Sequence, residues 1–294
     1  MSVADDETVR RLIELAHNED LERGDISSDL LEDPGQPASF HLIAKQRGVF
    51  AGREIAAAVL AAYGSSIDIQ WTAAGADERR IDSVPTRLAT IHGPLAALLA
   101  AERVLLNFLQ RLCGVATLTR AFVDAVAGTG ATIYDTRKTT PGWRVLEKYA
   151  VRCGGARNHR MGLFDAVLIK DNHLAGIETD RLAHHVFEML NRLSARDVRP
   201  SFVEAEAQSL AQVPELLKVL GIDTILLDNF SAEQLREAVA LRDRMGLRGQ
   251  VALEASGGIT MRTVRAVAET GVDRISVGAL THSAAALDLS LDRV

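Results

Sequence analysis

The segment from Asp135 to Leu174, DTRKTTPGWRVLEKYAVRCGGARNHRMGLFDAVLIKDNHL, concentrates the side chains most able to do chemistry. Between Arg137 and His173 it holds eight Lys/Arg (Arg137, Lys138, Arg144, Lys148, Arg152, Arg157, Arg160 and Lys170) against three acids, Glu147, Asp165 and Asp171. That is a local balance of +5 inside a chain of formal net charge −6. A compact cationic stretch in an acidic protein suits a small polyanion better than nucleic acid, which favours a broad basic face. Guanidinium groups grip carboxylates bidentately and lysine supplies a compact charge. Arg137-Lys138, His159-Arg160 and Lys170 with His173, if they converge, suit a ligand with more than one carboxylate. Arg144, Lys148 and Arg152 stand apart, because their i, i+4, i+8 spacing reads as a solvated helix face.

Polar groups also recur where apolar runs end: Asp135 before Thr-Arg-Lys, Lys170 after VLI, Glu206, Asp228 after TILL, Glu254 before Ala-Ser-Gly-Gly, and Gly278. Polar residues mark the places where buried strands surface, which explains one or two of these but not a lysine and several carboxylates. Two Gly-rich turns follow the last runs, Ser256-Gly257-Gly258 before an expected Ile-Thr helix start, and Val277 to Ser283. Backbone N–H groups at such turns can be approached closely and bind phosphate.

These groups need a scaffold, and the spacing of apolar residues predicts one. From about residue 110 strand-like and helical runs alternate. The expected strands are Ala131 to Asp135, Ala166 to Lys170, Phe202 to Glu206, Thr224 to Asp228, Val251 to Ala255 and Arg274 to Gly278. Helices are expected over Leu182 to Leu193, Leu210 to Leu220, Ala232 to Met245 and Met261 to Thr270. The strands are continuous apolar runs, as in parallel sheets covered on both faces, so the repeat points to an α/β barrel whose C-terminal strand ends share one mouth, or to a doubly wound sheet. Before it, a helix over residues 7 to 17, short strands at Ser39 to Ala44, Val49 to Ala51 and Ile67 to Trp71, and a helix from Glu54 to Ala62 suggest a smaller α+β domain. Gly93-Pro94 opens a long apolar helix that links the two.

The 294 residues are 47% hydrophobic and 24% charged, the balance of an ordinary globular protein and not of a disordered or collagen-like one. The most apolar stretch, Leu95 to Leu109, is broken by Glu102-Arg103 and falls short of a membrane span, so no membrane association is expected. The acidic N-terminus shows no secretory signal, and Cys113 and Cys153 are too few for a disulfide framework or a metal site. Both features suit a cytoplasmic protein whose thiols are buried.

The order EDLERGDISSDLL, KQRGVFAG, AERVLLNFLQRLCGVATLT, the DTRKTTPG to KDNHL block, DTILLDNFS, LEASGGI and VDRISVGALTHS, running nearly end to end, resembles the quinolinate phosphoribosyltransferase family (nicotinate-nucleotide pyrophosphorylase, carboxylating). The resemblance implies an α/β protein with an N-terminal α/β sandwich domain, residues 1–109 completed by 284–294, and an open, TIM-like α/β barrel domain over 110–283. The implied reaction joins quinolinate to 5-phosphoribosyl-1-pyrophosphate and releases pyrophosphate and CO2, giving nicotinate mononucleotide for NAD synthesis. By position, Arg103, Arg137, His159, Arg160 and Lys170 match quinolinate-binding groups, and Lys138 lies between substrate and pyrophosphate. Glu206 and Asp228 match carboxylates near the ribose and Mg2+, and Ser256, Gly257, Gly258 and Gly278 match phosphate loops. The resemblance also implies a homodimer in which Arg103 reaches the partner's site. In the chain itself Arg103 interrupts an apolar helix, a costly place for an unpaired charge, so a salt bridge with Glu102 or a neighbouring acid, or an arginine that snorkels to the surface, is the other reading.

Two departures from the family pattern stand out. Glu204-Ala205-Glu206-Ala207 replaces a common EVEV, which keeps both carboxylates, and Gly154-Gly155-Ala156 replaces GGG, which adds a methyl just before the Arg157 to Arg160 loop. Three other readings rank lower: a Schiff-base enzyme built on Lys170, a relative of molybdenum metabolism on the same scaffold, and a non-catalytic phosphosugar-binding barrel, against which Glu206 and Asp228 speak.

Overall fold

The computed structural model describes residues 2–194, 196 and 198–294. In chain order the elements are α1 (Glu7–Leu21), β1 (Pro37–Ala44), β2 (Gly48–Val49), α2 (Arg53–Tyr63), β3 (Asp68–Trp71), β4 (Arg80–Ile81), β5 (Thr86–Pro94), α3 (Leu95–Ala125), β6 (Thr132–Tyr134), α4 (Arg144–Cys153) and β7 (Val167–Ile169). There follow α5 (Leu182–Ser194), β8 (Val203–Ala207), α6 (Val213–Leu217), β9 (Thr224–Asp228), α7 (Ala232–Arg244), β10 (Ala252–Ser256), α8 (Val264–Ala268), β11 (Arg274–Ser276), α9 (Ala279–His282) and β12 (Leu289–Arg293). Among the described residues no helix is long and apolar enough to cross a membrane.

The chain divides into two compact units. The first comprises Met1–Arg120, Lys138–Ala156 and Leu280–Val294, and the second Ala121–Arg137 and Arg157–Ala279. The segment Lys138–Ala156, placed by sequence in the barrel range, thus lies in the first unit. That unit is built on an antiparallel sheet in the order β12-β1-β5-β3. β1 alternates buried and more exposed residues, as a strand with one covered face must. β5 was not legible as a strand, although Leu88 and Ile91 are fully buried on it. Where Asp6 caps α1 by accepting the Thr8 N–H at 2.9 Å, the acid also favours the positive end of the helix.

The long helix continues well past the expected Leu109, to Ala125. Gly114, in its middle, does not break it. A Cβ there would lie 2.0 Å from the carbonyl oxygen of Ala285, so glycine lets the returning C-terminal chain cross directly against the helix. In α4 the expected solvated face is corrected: Lys148 is fully buried with Glu147, while Arg152 is exposed. Both thiols are free and buried, and Cys113 Sγ and the Ala51 N–H lie 3.4 Å apart.

The second unit is a six-stranded, wholly parallel sheet in the order β6-β11-β10-β9-β8-β7. The unit's last strand pairs with its first, as in a barrel, and the sheet edges are its first and second strands, which is the strand order of a barrel opened between them. Expected and observed strands agree within two residues at each end, and β9 matches fully. The expected helices at Leu210 to Leu220 and Met261 to Thr270 shorten to α6 and α8, each entered through a turn. α7 starts from a capping box between Ser231 and Gln234.

We expect Gly114→Ala to cost about 1–3 kcal/mol of stability, because the methyl must displace backbone and not a flexible side chain. Thermal unfolding checks this, and an unchanged Tm contradicts the close crossing.

Candidate active site

In a parallel sheet, side chains two residues apart share a face, and residues in register on neighbouring strands stand side by side. The ladders set Glu206 level with Leu226, Leu226 with Glu254, and Glu254 with Arg274. Asp228 is level with Ser256 two residues further on, and Glu204 with Thr224 two residues earlier. Glu204, Glu206, Asp228, Glu254, Ser256 and Arg274 therefore project from one face of the sheet, drawn from four strands.

The outermost of these form an acidic edge. Glu206 and Asp228 are half-buried. Burial first, then the negative charges of Asp228 and Asp171, raise the Glu206 pKa, and Lys170 opposes them. The four groups thus face a common space. Lys170 itself is exposed where β7 ends, without the desolvated pocket that a Schiff-base lysine needs. Gln208 Nε2 donates to Asp171 Oδ2 at 2.9 Å, and Asn229 Nδ2 donates to Asp228 Oδ2 at 2.7 Å.

Asn229 takes a positive φ of 58° and its N–H bonds the Ser256 carbonyl at 2.8 Å, tying the β9 turn to the β10 turn. Gly257, at φ +93°, is packed so closely that a Cβ would lie 2.1 Å from Asn229 Oδ1. Gly258, at φ +61°, opens on empty space. The helix does not begin directly after these glycines, as expected, but at Val264, so the turn itself and not a helix end presents the backbone here.

A cationic edge is built around the loop from Arg157 to Arg160. The loop lies beside β6: the Arg157 N–H donates to the Ile133 carbonyl at 2.9 Å, and the Arg157 carbonyl accepts the Asp135 N–H at 3.1 Å. Asp135, wholly buried, takes Asn158 Nδ2 on one oxygen at 2.6 Å and the His159 N–H on the other at 2.8 Å. Ala156 causes no strain, because the left-handed residue of the preceding turn is Gly155, at φ +91°. Asp165 caps the next turn through the N–H groups of Met161 and Gly162, at 2.7 and 3.0 Å. Burial and then the like charge of Arg137 hold the Arg160 pKa below its ordinary value, so two guanidinium groups face the same region.

Beneath Arg160, His159 and Glu254, both marked in the sequence, meet Glu204, a juxtaposition that the sequence pattern did not indicate. His159 Nδ1 accepts the Arg160 N–H at 2.8 Å, so the ring carries its proton on Nε2 and is neutral. That Nε2–H donates to Glu204 Oε2 at 2.7 Å, and Glu254 Oε1 lies 3.7 Å from Nε2. Burial pushes both carboxyls up to about 8. For Glu204 the positive charges of Arg274 and Arg160 oppose the rise, while for Glu254 the neighbouring Glu204 adds to it. Arg274 also lies over the Tyr134 ring, 5.1 Å from its centroid. The signal available in the sequence was a charge two residues before a strand-end polar group, as in Glu204 before Glu206.

The second unit therefore brings together Arg137, His159, Arg160, Lys170, Glu206, Asp228, Ser256, Gly257, Gly258 and Gly278. Lys138 and Arg103 belong to the first unit. There the Lys138 carbonyl accepts Thr281 Oγ1 at 2.7 Å, and the turn that follows is clamped by buried Glu147, which takes the Thr140 N–H and hydroxyl at 3.0 and 2.9 Å and Arg111 Nη2 at 2.6 Å. Of the readings weighed for Arg103, exposure agrees with an arginine that reaches the surface. It is exposed, and it lines a groove with Leu12, Ala16, Glu19, Asp20 and Trp143.

A parallel α/β sheet whose C-terminal strand ends carry facing arginines, a lysine, paired carboxylates and a glycine turn defines an enzyme-type site for a small polyanion. The models of the N-terminal and C-terminal domains of quinolinate phosphoribosyl transferase match residues 25–113 and 115–292. The chain belongs to the quinolinate phosphoribosyltransferase family. It is 40% identical to a nicotinate-nucleotide pyrophosphorylase (carboxylating) of Mycobacterium leprae, covering 97% of this chain and 96% of that one. It is 36% identical to a probable enzyme of the same name from Bacillus subtilis, covering 97% and 93%. The structure of the nicotinate-nucleotide pyrophosphorylase from Francisella tularensis superposes with a TM-score of 0.87 at 36% identity, over 98% of this chain and 96% of that one.

Glu254→Gln should stabilise the protein by an amount that grows with pH. From about pH 4.5 to 8 the unfolded chain loses its carboxyl proton while the buried Glu254 keeps it, so the native state of the parent loses stability across that window. Denaturant unfolding at pH 5 and pH 8 should show the variant's relative stability rising by ~2 kcal/mol or more. A difference that is flat or shrinks with pH contradicts the buried, proton-holding carboxyl.

Proposed function

We infer that the chain transfers a phosphoribosyl group from 5-phosphoribosyl-1-pyrophosphate to quinolinate with decarboxylation, giving nicotinate mononucleotide, pyrophosphate and CO2 in NAD biosynthesis. The observation that carries this reading is the cationic edge around Arg160, a buried arginine whose pKa is held down first by burial and then by the like charge of Arg137. Two like charges held together in a partly buried place are stabilised by a ligand with two carboxylates. The family match over nearly the whole chain supplies the identity of that dianion.

Arg137, Arg160 and Lys170 bind and orient the pyridine dicarboxylate. As pyrophosphate leaves the anomeric carbon, positive charge grows on the ribose ring, and the carboxylates of Glu206 and Asp228 stabilise it. The pyridine nitrogen attacks, its new positive charge stabilises the electron pair left at C2 when CO2 departs, and that pair then takes a proton from water to give the C2–H of the product. Gly257 and Gly258, with Ser256 and Gly278, present backbone to the phosphate. The donor set fits Mg2+: Glu206 and Asp228 are half-buried oxygen ligands whose mutual repulsion a divalent cation would relieve. When bound, the ion supplies neutralisation of pyrophosphate charge.

The working assembly is a homodimer in which Arg103 of the partner subunit completes the dicarboxylate site. Its exposure on α3 supports this, since an exposed arginine on a grooved face is free to reach another molecule. The free, buried thiols of Cys113 and Cys153 support residence in the reducing cytoplasm.

Incubation with quinolinate, 5-phosphoribosyl-1-pyrophosphate and Mg2+ should yield nicotinate mononucleotide with one CO2 per turnover. Excess chelator should abolish it, and Lys170→Ala should lower kcat/KM by about 100-fold or more, the loss expected when a charged substrate contact is removed, with Tm within a few degrees of the parent. No product from the parent chain overturns the assignment, and full activity in chelator overturns the Mg2+ role.

A further inference from the structure

The ligand atoms of His159, Glu204 and Glu254 lie within 4.8 Å of one another, and all three residues are buried, which first suggests a metal site. The ring tautomer argues against one. With Nδ1 accepting the Arg160 N–H at 2.8 Å, Nε2 carries the proton and has no lone pair for a metal. A metal-bound histidine instead donates its other ring N–H to an acceptor.

The same geometry gives the cluster another role. Both ring nitrogens are engaged, one by the backbone of Arg160 and one by Glu204 on β8. The ring plane is set by an edge contact with Phe202, at 5.1 Å and 88°. The two successive N–H groups of His159 and Arg160 are held by Asp135 and by the imidazole, so the peptide leading into Arg160 has a fixed orientation. Glu204 is held in the sheet by its register with Leu168 and Thr224, so the imidazole is a spacer of set length between a rigid strand and the arginine's backbone.

We propose that His159 and Glu204 are positioning residues: together they fix the backbone at Arg160 and so aim its guanidinium at the substrate carboxylates, and His159 offers no ring nitrogen to the ligand. This rests on the reading of the site as one for quinolinate, and it replaces the direct substrate contact that resemblance implied for His159.

The test combines kinetics with ring 15N NMR of histidine-labelled enzyme, the His159 signals being assigned with His159→Gln. The parent should show the neutral Nε2–H tautomer, with ring shifts that barely move when quinolinate saturates the site. Glu204→Ala should raise the KM for quinolinate about tenfold or more while the KM for 5-phosphoribosyl-1-pyrophosphate stays within about twofold, and Glu204→Gln, whose amide carbonyl can still accept the Nε2–H, should bring the quinolinate KM back to within about threefold of the parent. An imidazolium, the Nδ1–H tautomer, a ring that shifts strongly on quinolinate binding, an equal rise in both KM values, or a Glu204→Gln variant as impaired as Glu204→Ala would each overturn the proposal. The tautomer is read without turnover, so a parent enzyme inactive on quinolinate would sink the functional reading while the NMR result still decides this one.

Discussion

Everything at the site depends on the register of the parallel sheet. Strands β8 to β11 carry charged residues at alternate positions, and the ladder gives those residues no choice but to share one face. Charges brought together away from water must be compensated by one another, by protons or by a ligand. Each solution is visible at a different depth. Lowest, burial pushes the Glu204 and Glu254 carboxyls up towards their protonated forms, and Glu204 takes the imidazole N–H. At the rim, where water reaches, Glu206 shares its surroundings with Asp228, Asp171 and Lys170.

The cationic edge meets the same constraint with the opposite sign. Arg160 is buried near the like charge of Arg137, with Glu204 and Asp165 acting against that repulsion. The loop that carries Arg160 is accordingly fastened at several points: to the β6 backbone, to Asp135, to Asp165, and through His159 to β8. Rigid placement of a few charges suits a reaction in which the protein makes no covalent bond and chiefly orients and neutralises.

Much of this was legible in the chain. The continuous apolar runs located the six parallel strands because buried strands need no polar alternation, and the polar residues at their ends marked the mouth. The same logic gave Glu254 no more than a place at a strand end and left Glu204 and Arg274 without a role, because their charges sit inside the strands and are tolerated only through tertiary partners that spacing cannot reveal. Helical periodicity pointed to a solvated Lys148 and left Arg103 between an ion pair, an arginine snorkelling to the surface and a reach to a partner subunit, because the exposure of each depends on what packs against its helix. β5 escaped notice because Arg87, Thr90 and His92 dilute its apolar residues, though the strand is central to the first sheet. Helix α3 ran on past Leu109 because the glycine that might have ended it, Gly114, is there for a backbone crossing.

The central claim is that the facing cationic groups are matched to two carboxylates, and direct binding tests it without reliance on turnover. Calorimetric titration of the chain with quinolinate and with nicotinate, at one ionic strength, should show quinolinate bound at least about 100-fold more tightly, because nicotinate leaves a buried cation unpaired. Equal affinity for the two would contradict the account.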